Sequence, residues 1–198
     1  SIRSVLAQSY PNIELLVVDD GSKDDSVERI RVLQFSGDTS RQLACNAAID
    51  YVRGEVLLWL DAGSAVVNGD WLRQLLNHAL RPEVGAVGAK LLSADGRIHH
   101  AGLLLGLLGP AGRAFEGLEH DAAGYMQRLQ VEQNYSALSG ECLMIRRELF
   151  VELGGFDQDP LVARWSDVDL CLKARQAGYL NVWTPRVQLL IDSERSAS

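Results

Sequence analysis

What this sequence has little of narrows its function early. Three cysteines, Cys45, Cys142 and Cys171, stand in no Cys-x-x-Cys spacing. An odd, scattered set of this kind argues against both a disulfide framework and a cysteine-built zinc site, and it makes a reducing, cytoplasmic setting the expectation. Basic residues are outnumbered 19 to 26, the formal charge is -7, and no Lys/Arg run exceeds two. A surface that tracks polyanions is therefore not expected, and nucleic acid drops out as a partner. The most apolar run, Leu103 to Leu108, is far too short to cross a bilayer, so any contact with the inner face of a membrane would be peripheral.

What is present suits one α/β domain. The 198 residues are 47% hydrophobic, enough for a sizeable core, and residues 1–198 read as a single unit. Ser1 to Ala7 reads as a helix already under way, with Ile2, Val5 and Leu6 on one face, so a first strand is expected further upstream. Ile13 to Val18 has strand character and stops at the turn Asp19-Asp20-Gly21-Ser22. The spacing of Val27, Ile30 and Leu33 predicts a helix over Asp24 to Leu33, and a second helix is expected over Leu43 to Val52. Glu55 to Leu60 is a strand ending at Asp61. Asn68 to Leu80 is a helix that Pro82 stops, and Val84 to Leu92 is a strand followed by a tight turn at Asp95-Gly96. From Gly102 to Gly117 the pattern reads as a mobile loop. Strand character returns over Leu138 to Ile145, then helices over Arg147 to Leu153 and Asp167 to Ala177. A strand over Tyr179 to Trp183 ends before Pro185. This alternation predicts layers around a mostly parallel sheet.

Ligands of such sheets bind beyond the carboxyl ends of the strands. Two strands here end in acid, at Asp19-Asp20 and at Asp61, and a third acidic pair, Asp167 and Asp169, opens a helix. Each has a plain structural alternative. Asp-Asp-Gly-Ser forms ordinary turns, and Asp167 with Asp169 could simply cap a helix and face its dipole. The pair His99-His100 reads either as surface or as lining of a cleft, and Trp59 reads as core.

Several ordered blocks go further. Ser4 to Glu14 with Leu16 to Ser22, then Arg53 to Asp61, Ser139 to Arg147, Gly154 to Asp157 and Ser166 to Lys173, together resemble family 2 inverting glycosyltransferases of the GT-A fold, closest to rhamnosyltransferase-like members. The resemblance covers nearly the whole chain. It implies a GT-A (Rossmann-like) α/β sandwich whose residues 1–92 hold a nucleotide sugar and whose residues 93–198 hold the acceptor and the catalytic base. It implies transfer of a sugar from a UDP- or dTDP-sugar to a growing bacterial polysaccharide or glycolipid.

Residue by residue, the resemblance implies that Asp20 accepts a hydrogen bond from the pyrimidine base, with Asp19, Asn46, Asp61 and Gly140 around the nucleotide sugar. Asp167 matches the general base that takes the acceptor hydroxyl proton. Read from the residues themselves, Trp165, two before that base, is either a ring for sugar stacking on the acceptor side or plain packing, and Asp169, also placed on that side, fixes the helix start or a neighbouring backbone group rather than reacts. Mg²⁺ or Mn²⁺ would be held by Asp61. The sequence departs from the family in four places. Gly63 stands where the Asp-X-Asp signature has its last acid. Asp192 or Ile191 falls where a metal-side His is usual, so Asp192 becomes the second candidate ligand. Cys45 replaces an Arg before Asn46, and Ser166 precedes the base. A degenerate domain that binds sugar nucleotide without turnover is the competing expectation.

Overall fold

The computed structural model describes residues 13–19, 31–34, 40–107 and 109–192. Its core is a seven-stranded sheet. In chain order the elements are β1 (Leu16–Asp19), β2 (Arg31–Gln34), α1 (Arg41–Ala48), β3 (Val56–Leu60), β4 (Ser64–Val66), α2 (Trp71–Ala79) and β5 (Val84–Ser93). Then come β6 (Ile98–His100), β7 (Leu103–Leu105), β8 (Ala111–Arg113), β9 (Gln133–Asn134), β10 (Cys142–Arg146), α3 (Arg147–Glu152), α4 (Ser166–Gln176) and β11 (Leu180–Ile191).

The strand order is β3-β10-β5-β11-β4, with β6 on β5 and β9 on β11. The α/β class stands, but the sheet is more mixed than the alternation suggested. Within it only β5 and β11 run parallel, while β10 is antiparallel to both β3 and β5, and β4 is antiparallel to β11. The three residues between β3 and β4 are too few for a crossover, so β4 runs back relative to β3, and β10 enters reversed between β3 and β5.

Strand period decides which side chains meet which layer. On β5 the odd positions Val87, Ala89 and Leu91 join Cys142 and Met144 of β10 on one face, where α2 lays down Trp71, Leu75 and Ala79 one turn apart. On the other face Ala86 and Leu92 join Leu143 and Ile145, covered by Val168, Leu170 and Cys171 of α4 and by Phe150 and Phe156. Trp183 is fully buried there. Its indole Nε1 donates to Ala89 O at 3.1 Å, and its ring meets Tyr135 edge-on with centroids 6.2 Å apart.

Several boundaries differ from the sequence reading. Arg31–Gln34 is a strand, parallel to β1, where the end of a helix was expected; residues 24–30 lie outside the described set. Helix α1 starts earlier, because Ser40 caps it by accepting from Leu43 N. The stretch from Gly102 to Gly117 carries the hairpin β7–β8 rather than an irregular loop. Strand β11 does not stop at Pro185. It slips register between Thr184 and Gln188, and this irregularity accommodates the missing N–H before pairing resumes to Ile191.

Candidate active site

Register alone sets acidic residues side by side at this edge of the sheet. Cys142 lies opposite Leu60, so the residues just beyond them, Asp61 and Glu141, abut: Asp61 N donates to Glu141 O at 2.9 Å. On the other side Ser64 lies opposite Ile191, so Gly63 meets Asp192, whose N–H donates to Gly63 O at 3.3 Å. The Asp61 carboxylate folds back to accept from Gly63 N at 2.9 Å. A Cβ added at Gly63 would stand 3.3 Å from both Asp61 Oδ1 and Asp192 O, and 3.4 Å from Asp192 Cβ. Gly63 thus marks the narrow gap between the two acids. Next to it Ser64 is buried, with its hydroxyl unpaired among the described residues.

The donors at this end are hard oxygens, which fit Mg²⁺ or Mn²⁺. Among the described residues, however, no cluster of three His, Cys, Asp or Glu forms. Asp61 and Asp192 are the carboxylate residues flanking Gly63 at this end, and a cation there would need ligand oxygens besides theirs.

The third acid, Asp167, opens α4 on the other side of the turn Ser139-Gly140-Glu141. Its Oδ2 accepts from Gly140 N at 2.8 Å and its Oδ1 from Val168 N at 2.8 Å. Gly140 admits this approach: a Cβ there would come within 3.3 Å of Asp167 Cβ. Burial pushes the Asp167 carboxyl above its ordinary value, against the pull of those two N–H groups and of the Arg41 guanidinium. Arg41 in turn donates to Gly140 O at 2.9 Å. A carboxyl raised by burial and fixed by backbone donors keeps lone pairs for a proton and is a stronger base than a solvated one.

The remaining expected site residues are placed as follows. Asn46 uses its whole amide on the Phe156 backbone, donating to Phe156 O at 2.8 Å and accepting from Phe156 N at 2.9 Å. It ties α1 to the glycine-rich bend at Gly154-Gly155. Gln42, one turn earlier, donates to Ala163 O at 2.8 Å and Ser166 Oγ at 3.2 Å, holding the start of α4. Asp169 pairs with Lys173 at 2.7 Å, one turn further along α4. Trp165 is partly buried against the core, and the Arg164 guanidinium lies 5.7 Å from its ring centroid. The backbone of Asp19 ends β1, while Asp20 lies outside the described residues.

Sequence reasoning missed Glu141, Arg113 and Arg41. Glu141 is almost completely buried, and its carboxylate meets His99 Nε2 at 3.0 Å, Ser139 Oγ at 2.8 Å and Arg113 Nη2 at 3.6 Å. Burial works to raise this carboxyl, but His99, Arg113 and Ser139 outweigh it and hold it down to about 2. The signal was available: an acid directly before the apolar run Cys142 to Ile145, with a His pair upstream.

His100 is buried, and its Nε2 accepts from Gly102 N at 3.2 Å and Ser139 N at 3.3 Å. An imidazole used as acceptor is neutral, and burial lowers its pKa to about 3. Between 6.5 and about 3 the unfolded chain binds a proton at this position that the folded chain refuses. Stability therefore falls on acidification through that window, by up to about 1.4 kcal/mol per pH unit from this group. Urea unfolding followed from pH 7 to pH 5 should show the fall, and His100→Gln should flatten it.

Solved structures share this architecture. GalNAc-T7 solved with UDP, GalNAc and Mn²⁺ matches at TM-score 0.73 and 17% identity, covering 97% of this chain and 40% of that one. A mannosyltransferase of Pyrobaculum calidifontis with GDP-Man and Mn²⁺ matches at TM-score 0.65 and 21% identity, covering 96% and 51%. The fold is thus the GT-A fold.

The sequence comparison is more specific: residues 1–154 match the model of glycosyl transferase family 2, and the chain belongs to that family of enzymes. It is 42% identical to protein y4gI of Sinorhizobium fredii and 34% identical to the O-antigen biosynthesis protein RfbC of Myxococcus xanthus, each over 96% of the chain. It spans only 22% and 16% of those proteins. Against the N-acetylglucosaminyl-diphospho-decaprenol L-rhamnosyltransferase of Mycobacterium tuberculosis it is 30% identical over 93% of the chain and 68% of the relative.

Proposed function

We propose that this domain transfers a sugar, with inversion, from a nucleoside-diphosphate donor to a hydroxyl of a growing bacterial polysaccharide or glycolipid. The observation that carries the reading is the Ser139-Gly140-Glu141 turn, which touches Asp61 through one backbone group and Asp167 through another.

Asp61 and Asp192 face the diphosphate, and Asp167 faces the acceptor. As the acceptor oxygen closes on the anomeric carbon, Asp167 takes its proton, while the Gly140 and Val168 N–H groups hold the carboxylate in place. A bound Mg²⁺ or Mn²⁺ would neutralise charge on the departing diphosphate. Asp19 and Asp20 are assigned to the base and ribose by resemblance. A UDP- or dTDP-sugar donor is assigned by resemblance, a lipid-linked or polymeric acceptor accords with the names of the O-antigen and rhamnosyltransferase relatives, and peripheral contact with the inner membrane face would suit such an acceptor. No helix among the described residues is long and apolar enough to cross a membrane.

The test is a thermal-shift series with UDP-, dTDP- and GDP-sugars, with and without Mn²⁺, followed by a transfer assay. Stabilisation that requires both donor and metal, with transfer, is the expected result. Donor binding without metal dependence and without transfer would replace this reading by the degenerate one, which Gly63 in place of a second acid favours.

A further inference from the structure

The polar groups around Glu141 form a compact set that the proposed chemistry does not use. Glu141 and Ser139 face each other within the turn: Ser139 Oγ donates to Glu141 Oε2 at 2.8 Å and accepts from Glu141 N at 3.2 Å. His99 meets Glu141 Oε1 at 3.0 Å, and Arg113 Nη1 lies 2.7 Å from His99 Nε2 and 3.4 Å from Glu116. His100 accepts from Ser139 N on the turn's other flank. Strand β6 and the hairpin β7–β8 therefore grip a turn of three residues from outside.

That same turn sets where both carboxylates stand. Its Glu141 O holds Asp61 N, its Gly140 N holds Asp167 Oδ2, and its Gly140 O holds Arg41. A shift of the turn would move the base and the donor-side acid relative to one another. Reaction rates depend steeply on that separation, because a displacement of about 1 Å can cost about 100-fold.

We propose that the Glu141 side chain, braced by His99, is a positioning residue that fixes the spacing between Asp61 and Asp167. It touches neither donor nor acceptor and acts only through the turn. This rests on the transferase chemistry proposed above.

The experiment compares wild type, Glu141→Ala, Glu141→Gln and His99→Phe in the intact protein. It reads kcat and KM for the donor and the acceptor, together with thermal midpoints. Glu141→Ala should lower kcat by about 30- to 100-fold with both KM values within about twofold of wild type. Glu141→Gln, which can still accept from Ser139 and bond His99, should recover to within about fivefold, and His99→Phe should lie between the two. A merely structural role would lower the thermal midpoint and the active fraction without this graded kcat effect.

The proposal is overturned if Glu141→Ala keeps its kcat, if the loss appears in KM, or if Glu141→Gln is as impaired as Glu141→Ala. Should Glu141→Ala fail to fold, an unaltered kcat in His99→Phe and Glu141→Gln alike overturns it. A wild-type protein that transfers no sugar from any donor defeats the functional reading and this inference with it. An active wild type with equally active variants defeats this inference alone.

Discussion

Asp167→Asn should lower the transfer rate by about 10²- to 10⁴-fold while leaving donor affinity nearly unchanged, since the amide keeps the shape of the carboxylate but is no base. One amide oxygen can still accept from Gly140 N, so the turn stays seated. Single-turnover transfer measured beside donor titration checks both halves of the expectation, and equal turnover in the variant would refute the role.

The pH profile has a determined sign. Asp167 acts only when ionised, and its carboxyl is raised above 3.8 by burial. The acid limb of kcat/KM should therefore sit above that value, with activity rising as pH rises through it. Arg41 pulls the other way, so Arg41→Gln should move the limb to still higher pH.

Asp61→Asn is expected to remove the metal-dependent part of donor binding. Asparagine can still accept from Gly63 N, so the local turn survives while one of the two charges is lost. If donor with Mn²⁺ stabilises wild type at about 100 times its dissociation constant, roughly 2.7 kcal/mol of stabilisation disappears in the variant. Thermal shift and calorimetry with donor, each with and without Mn²⁺, read this out. Asp192→Ala should show the same loss in smaller degree. A metal response untouched by both changes would place the cation elsewhere.

Much of this was legible in the sequence. Acid at a strand end is a local signal, and Asp61 and Asp167 both stand where their elements were expected to deliver them. Strand register sets Asp192 opposite Gly63, two residues beyond Asp61, and no local pattern encodes that. What escaped was long-range. The parallel strand at Arg31–Gln34 reads helical because its apolar residues fit both periods at that length. Strand β11 continues past Pro185 because a neighbour absorbs the irregularity. The role of Glu141 depends on His99 and Arg113, which are distant in sequence and meet only through the β6 and β8 strands.

The strand order has a consequence for how the protein is made. Among the described strands, β3 pairs only with β10, which lies some 80 residues further along the chain. Pairing over such a separation forms late and slowly. As the chain leaves the ribosome, the strand that leads to Asp61 has no strand partner among the described residues until Arg146 has emerged. Its apolar edge, Val56 to Leu60, stays open until then. Asp61 gains its backbone anchor only once the turn Ser139-Gly140-Glu141 has been made, and Asp167, later in the chain, then seats on the same turn.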